Sequence, residues 1–174
     1  LVYSGRIDWS RSNAPVFVFP CTSVSARFTG RVLKVHVENR HAYWENYLGY
    51  LLDGKQSVLL LPENGTAENE IPIESDGEHE LLLFKRQDSC HELAFLGLEI
   101  GEGERLLPAR ENPKRKLEVY GDSVSAGEVS EAVDYVGKED PVHNGEYSNS
   151  YYSYAWMTAR KLDAQIHDIA QGGI

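Results

Sequence analysis

Leu117-Glu118-Val119-Tyr120-Gly121-Asp122-Ser123 is the stretch on which the fold turns. Its alternating apolar side chains predict a strand over Leu117 to Tyr120. Gly121 lets the chain turn sharply without a Cβ clash, and Asp122 can hold the turn through bonds to backbone amides. Ser123 then stands at the C-terminal end of a strand, where open α/β sheets place their ligands. The backbone amides just after it can face an anion. A serine placed this way becomes a nucleophile when a base accepts its proton. Gly-Asp-Ser alone is short enough to arise by chance; the strand directly before it makes it informative.

Downstream, a loop rich in Gly, Asp and Glu runs from Gly127 to Ser148 and forms a candidate substrate rim. Ser148 or Asn149 can cap a helix running to about Leu162. Tyr152, Ala155, Trp156, Ala159 and Leu162 fall on one stripe of it. Ile166 to Ala170 reads as another strand, ahead of Gln171-Gly172-Gly173-Ile174. Strand, loop, helix and strand make the opening of a βαβ unit.

Upstream, Pro108 to Lys116 is polar, holds two prolines and reads as a linker. Before it lie short alternating runs: Ser23 to Phe28, Leu33 to Glu38, Tyr47 to Leu52, Gln56 to Leu61, Glu70 to Ile73, Glu80 to Lys85 and Leu93 to Ile100. Asp53-Gly54 between two of them is a hairpin signal, and Glu63-Asn64-Gly65-Thr66 and Ser75-Asp76-Gly77 are turn clusters. Short strands at this spacing predict an antiparallel sandwich. The expected organisation is a β-sandwich over 1–107, a linker over 108–116 and the first βαβ unit of an α/β domain over 117–174. That last part is expected to be incomplete, because two strands and one helix cannot cover both faces of a parallel sheet.

Composition narrows the function classes. At roughly 150 residues per domain, 174 residues correspond to about one domain. The net charge of −10 argues against a nucleic-acid partner, and Lys114-Arg115-Lys116 is a short cluster that reads as solvated linker. The acidic balance favours a neutral partner such as a sugar polymer. No apolar run approaches the ~18 residues that a membrane helix needs. The chain opens at Leu1 without the pattern of a signal peptide, so a processed or trimmed start is expected. Cys21 and Cys90 allow one bridge or two thiols and show no metal spacing.

Glu118 to Gly127 resembles the first block of the SGNH (GDSL-type) hydrolases. Asn149 to Ala155, Thr158-Ala159-Arg160 and Ile169-Ala170-Gln171-Gly172-Gly173 resemble the segments downstream of that block in carbohydrate esterase family two, bacterial deacetylases of plant polysaccharides. Ala26 to Gly30, Leu52 to Lys55, Gly77 to Glu80 and Phe95-Leu96-Gly97 are similar to that family's N-terminal jelly roll. The resemblance implies an all-β jelly-roll sandwich followed by the first βαβ unit of an SGNH domain. It implies a serine esterase that removes O-acetyl groups from polysaccharides or oligosaccharides such as xylan or glucomannan. Ser123 would be the nucleophile, its own amide and that of Gly173 would form the oxyanion hole, and Gly121 and Asp122 would support the nucleophile loop. No metal or organic cofactor, nucleic acid or membrane is implied, and the protein would be exported: secreted, periplasmic or on the bacterial surface.

The family's third oxyanion donor comes from a Gly-x-Asn-Asp-like block, and its base from a late histidine block; neither occurs here, so these residues alone are expected to be catalytically incomplete. Of two Asp-x-x-His strings, Asp88 to His91 precedes the serine and Asp140 to His143 comes too soon after it. Both histidines read as surface or loop residues, and His36, His41, His79 and His167 show no ligand spacing. Tyr43, Trp44 and Tyr47, and the later group Tyr147, Tyr151, Tyr152, Tyr154 and Trp156, read as packing before sugar stacking. The alternative is a non-catalytic, carbohydrate-binding or accessory sandwich.

Overall fold

Apolar alternation at Leu33, Val35 and Val37 sets the first layer: these three are buried, while Lys34, His36 and Glu38 between them are half-buried. The computed structural model describes all residues 1–174. One antiparallel sheet runs in the order β1 (Val2–Ser4), β4 (Ser23–Thr29), β9 (Glu78–Lys85), β6 (Asn46–Leu52) and β7 (Lys55–Leu61), with β11 (Leu106–Leu107) added to β4. The second runs β2 (Ile7–Asp8), β3 (Val16–Phe17), β10 (His91–Ile100), β5 (Leu33–His41) and β8 (Gly65–Glu70). Phe28, Leu48, Leu81 and Leu83 from the first sheet and Phe17, Val35, Leu93 and Phe95 from the second share one buried core.

Asp53 and Gly54 both adopt positive φ, +51° and +79°, and close the β6–β7 hairpin with Leu52 opposite Lys55. Two positive φ values match the twist of paired strands. The Asp53 carboxylate then binds the Glu80 amide at 2.9 Å and His79 Nδ1 at 2.7 Å, tying the turn to β9.

A parallel pair completes the fold: β12 (Arg115–Gly121) and β13 (Ala164–Ala170) align from Arg115 opposite Ala164 to Gly121 opposite Ala170. Between them lie a single turn, α1 (Ser123–Ala126), and α2 (Tyr154–Lys161). A second core joins this part to the first sheet. Phe84 meets Trp156 edge-on at 5.2 Å and Tyr151 at 5.5 Å, and Cys21, Ala155, Ala159 and Ile166 pack around them. Gly49 makes room for the ring, since a Cβ there would lie 2.2 Å from it.

Several boundaries differ from expectation. Arg115 and Lys116 belong to β12 and not to a linker, because their backbone pairs with Ala164 and Gln165. The expected helix splits: Asn149 caps a 3-10 turn at Ser150–Tyr152, and Ser153 caps α2 through a 3.2 Å bond from the Trp156 amide. Tyr152 and Leu162 fall outside α2 and are both exposed, so only Ala155, Trp156 and Ala159 of the expected stripe are buried. The strand expected at Glu70 to Ile73 is β8, Gly65–Glu70, which takes residues read as a turn. Both cysteines are free thiols, Cys21 buried and Cys90 half-buried.

Candidate active site

Ser123 comes just after β12 and opens the one-turn helix α1. The Asp122 side chain caps that turn by accepting the Val124 amide at 3.0 Å, and Gly127 closes it at φ +80°. Gly121 is needed for space: a Cβ there would lie 1.9 Å from Ser125 Oγ. That hydroxyl is fixed by a 2.7 Å bond with Tyr154 of α2. The serine turn is therefore wedged between its own strand and α2.

The half-buried Ser123 faces a pocket of about 430 Å³ whose walls include Glu128, Asp140, His143, Tyr152 and Tyr154. Glu128 has its carboxyl pushed up, by burial first and then by the Asp88 charge. His143 Nε2 lies 3.9 Å from Asp140, and its ring lies tilted against Trp44 with centroids 5.9 Å apart. The loop after the serine does line the pocket. Asn149, fully buried, pins that loop by accepting the Tyr151 amide at 3.1 Å and donating to Glu131 at 2.9 Å. Glu131 in turn pairs with Arg86, the residue just after β9.

The loop between β9 and β10 reaches the same end of the parallel pair. Ser89 donates its amide to Ala170 O at 3.3 Å and its hydroxyl to Gln171 at 2.9 Å. The Gly172 amide binds Asp88 Oδ2 at 2.7 Å. Gly173, exposed at φ +80°, donates no hydrogen bond within the protein. Lys85, wholly buried, donates from its ammonium to the Gln87 and Asp88 carbonyls, and burial pushes its pKa down to about 7.

One histidine departs from the sequence expectation. His91 is neither surface nor loop: it begins β10, is 1% exposed and packs against Tyr43 at 5.1 Å. Burial pushes its pKa down to about 4, so it stays neutral at pH 7. His143 shares the pocket of Ser123, a proximity its early place in the chain concealed. His36 meets Glu68 and Glu99 across adjacent strands, with the Lys34 ammonium already bridging both carboxylates at 3.0 and 3.2 Å. Register, not spacing along the chain, assembles that group. Glu128 escaped the motif reading, and Asp88 was met only as the start of an Asp-x-x-His string, because their approach to Gly172 links distant segments.

Residues 3–109 match the family model described as carbohydrate esterase 2 N-terminal. The chain belongs to this family. Among curated relatives, a cellulase/esterase CelE of Acetivibrio thermocellus is 32% identical over 177 residues, covering 100% of this chain and 21% of that protein. An acetylxylan esterase / glucomannan deacetylase of Cellvibrio japonicus is 29% identical over 171 residues, covering 97% of this chain and 46% of that protein. The chain thus spans less than half the length of either curated relative. A family two carbohydrate esterase from Clostridium thermocellum, solved in complex with cellohexaose, superposes with a TM-score of 0.86 at 31% identity, over 99% of this chain and 51% of that one. The family two esterase from Cellvibrio japonicus gives 0.80 at 26% identity, over 98% and 49%. In this carbohydrate esterase 2 chain the family-model match covers the antiparallel sheets, whereas Ser123 lies beyond it.

Proposed function

We propose that this chain supplies the nucleophile of a carbohydrate acetylesterase: a jelly-roll sandwich followed by the first βαβ unit of an SGNH hydrolase domain. The observation that carries the proposal is Ser123 at the mouth of a pocket, directly after a strand of a parallel pair, with the unengaged amide of Gly173 after the neighbouring strand. Ser123 Oγ attacks the acetyl carbonyl while a base takes its proton. The amides of Ser123 and Gly173 hold the oxyanion. The sugar hydroxyl leaves with the proton, and water frees acetate from the acyl-enzyme. The resemblance assigns the base to a histidine block outside these 174 residues, and the relatives' greater length supports that assignment. These residues alone are then inactive. Acetylated xylan or glucomannan is the proposed substrate class, and export from a bacterial cell the proposed setting.

His143 gives a second reading, since it shares the Ser123 pocket with Asp140. Acetate release from acetylated xylan by the native-length protein tests both. Ser123→Ala is expected to lower turnover by ~1,000-fold or more. Undiminished turnover refutes the nucleophile. His143→Ala is expected to cost less than about tenfold, as a pocket wall. A loss as deep as that of Ser123→Ala makes His143 the base. Xylan binding without acetate release in the unmodified protein identifies a binding module instead.

A further inference from the structure

We propose that Asp88, on the β9–β10 loop, is the positioning residue that selects and aims the oxyanion amide of Gly173. The inference rests on the assignment of Ser123 and Gly173 above. Gln171, Gly172 and Gly173 lie beyond the end of β13, where no strand partner fixes their amides. Two of its backbone amides are engaged, beside the bond from the Ser89 hydroxyl to the Gln171 side chain. The Gln171 amide binds Gly121 O at 3.2 Å, two residues before the serine. The Gly172 amide binds Asp88 Oδ2 at 2.7 Å.

Two consecutive glycine amides could serve an oxyanion, and Asp88 engages the first. The second, on Gly173, is left exposed with open space around its Cβ position. The bond to Asp88 also fixes the plane of the peptide before Gly172, so that only φ and ψ of Gly172 separate it from the plane that carries the Gly173 amide. A Cβ on Gly172 would lie 2.8 Å from Glu128 Oε1 and 3.1 Å from Asp88 Oδ2, so a side chain there would displace the Glu128 carboxylate.

Asp88 is itself built to hold still. It is 3% exposed, its Oδ1 accepts the Cys90 amide at 3.1 Å, and its carbonyl accepts the buried Lys85 ammonium. A carboxylate accepting two backbone amides makes charge-assisted bonds, which are shorter and stronger than neutral ones. The residue that aims the oxyanion hole thus lies on a loop between two antiparallel strands, 84 positions before the amide it holds.

The test uses the native-length protein and 4-nitrophenyl acetate, with thermal melts alongside. Asp88→Ala is expected to lower kcat by ~10- to 100-fold, with KM within about threefold of the parent. Asp88→Asn keeps the size but only one acceptor oxygen, and is expected to fall between the two. Unchanged kcat in Asp88→Ala overturns the proposal. So does a risen KM with kcat intact, which would mark a merely structural role. If Asp88→Ala does not fold, Asp88→Asn decides: a loss of about fivefold or more in kcat supports positioning, and unchanged kcat overturns it. Ser123→Ala runs in parallel. Activity surviving in that variant overturns the nucleophile assignment, whatever Asp88 does.

Discussion

Asp168→Asn is expected to gain stability over the parent as pH rises from 4.5 to 8. Asp168 lies on β13 with 1% of its surface exposed. Its Oδ2 is 3.5 Å from the Cys21 thiol, and its Oδ1 has no partner in the protein. Burial pushes its pKa to about 7 from an ordinary 3.8, while the bond from Cys21 works in the other direction. An acid whose folded-state pKa is raised keeps its proton longer when folded. Its contribution to stability is whole below 3.8, declines as pH rises through about 7 and is constant above that. At ~1.4 kcal/mol per pH unit, the full decline is roughly 4 kcal/mol. Asparagine has no charge to bury, so the variant escapes the decline. Its amide needs an acceptor that the unpartnered Oδ1 site lacks, which costs about 1–3 kcal/mol. That cost is the same at both pH values and drops out of their difference. Urea unfolding followed by tryptophan fluorescence at pH 4.5 and 8 reads the quantity directly. The advantage of the variant over the parent is expected to be larger at pH 8 by about 3 kcal/mol. An advantage equal at the two pH values within ~0.5 kcal/mol would refute the buried, protonated aspartate.

Two further substitutions probe the serine turn and the buried lysine. Gly121→Ala places a Cβ 1.9 Å from Ser125 Oγ, and is expected to destabilise by about 1–3 kcal/mol in urea unfolding and to displace the serine turn. Lys85→Met leaves the Gln87 and Asp88 carbonyls without their donor. Burial lowers the folded-state pKa of Lys85 from 10.5 to about 7, so its contribution is full above 10.5 and declines as pH falls through about 7. The parent's advantage over Lys85→Met is therefore expected to widen between pH 7 and 9.5 in unfolding titrations; an advantage that narrows there refutes the assignment.

Local chemistry was legible and distant contact was not. Asp53-Gly54 announces its hairpin because two positive φ values are a property of those two residues. The strand before Ser123 is legible for the same reason. The expected helix start failed because two capping residues, Asn149 and Ser153, stand in series, and the first caps a 3-10 turn. β8 was misplaced because it is a polar edge strand, with Glu68 and Glu70 among its six residues, and carries no apolar alternation. β1, β2 and β3 are too short to show a period, and their pairing depends on partners elsewhere in the chain. At the site, Ser123 was visible from its own neighbours. Asp88 was not, because its meaning depends on a glycine 84 positions away. His143 was set aside on chain order, and only the folded loop brings it to the serine pocket.

Gly49 under the Phe84 ring carries a lesson about dividing this gene. The sheet that holds them has one face in the main core, while Leu51, Leu82 and Phe84 on the other are covered by Tyr151, Trp156 and the parallel strands. A fragment ending near residue 109, where the family-model match stops, would leave that apolar strip in water. The edge of the family-model match is therefore a poor place to cut the molecule, and a soluble version of the first hundred residues would need that strip redesigned.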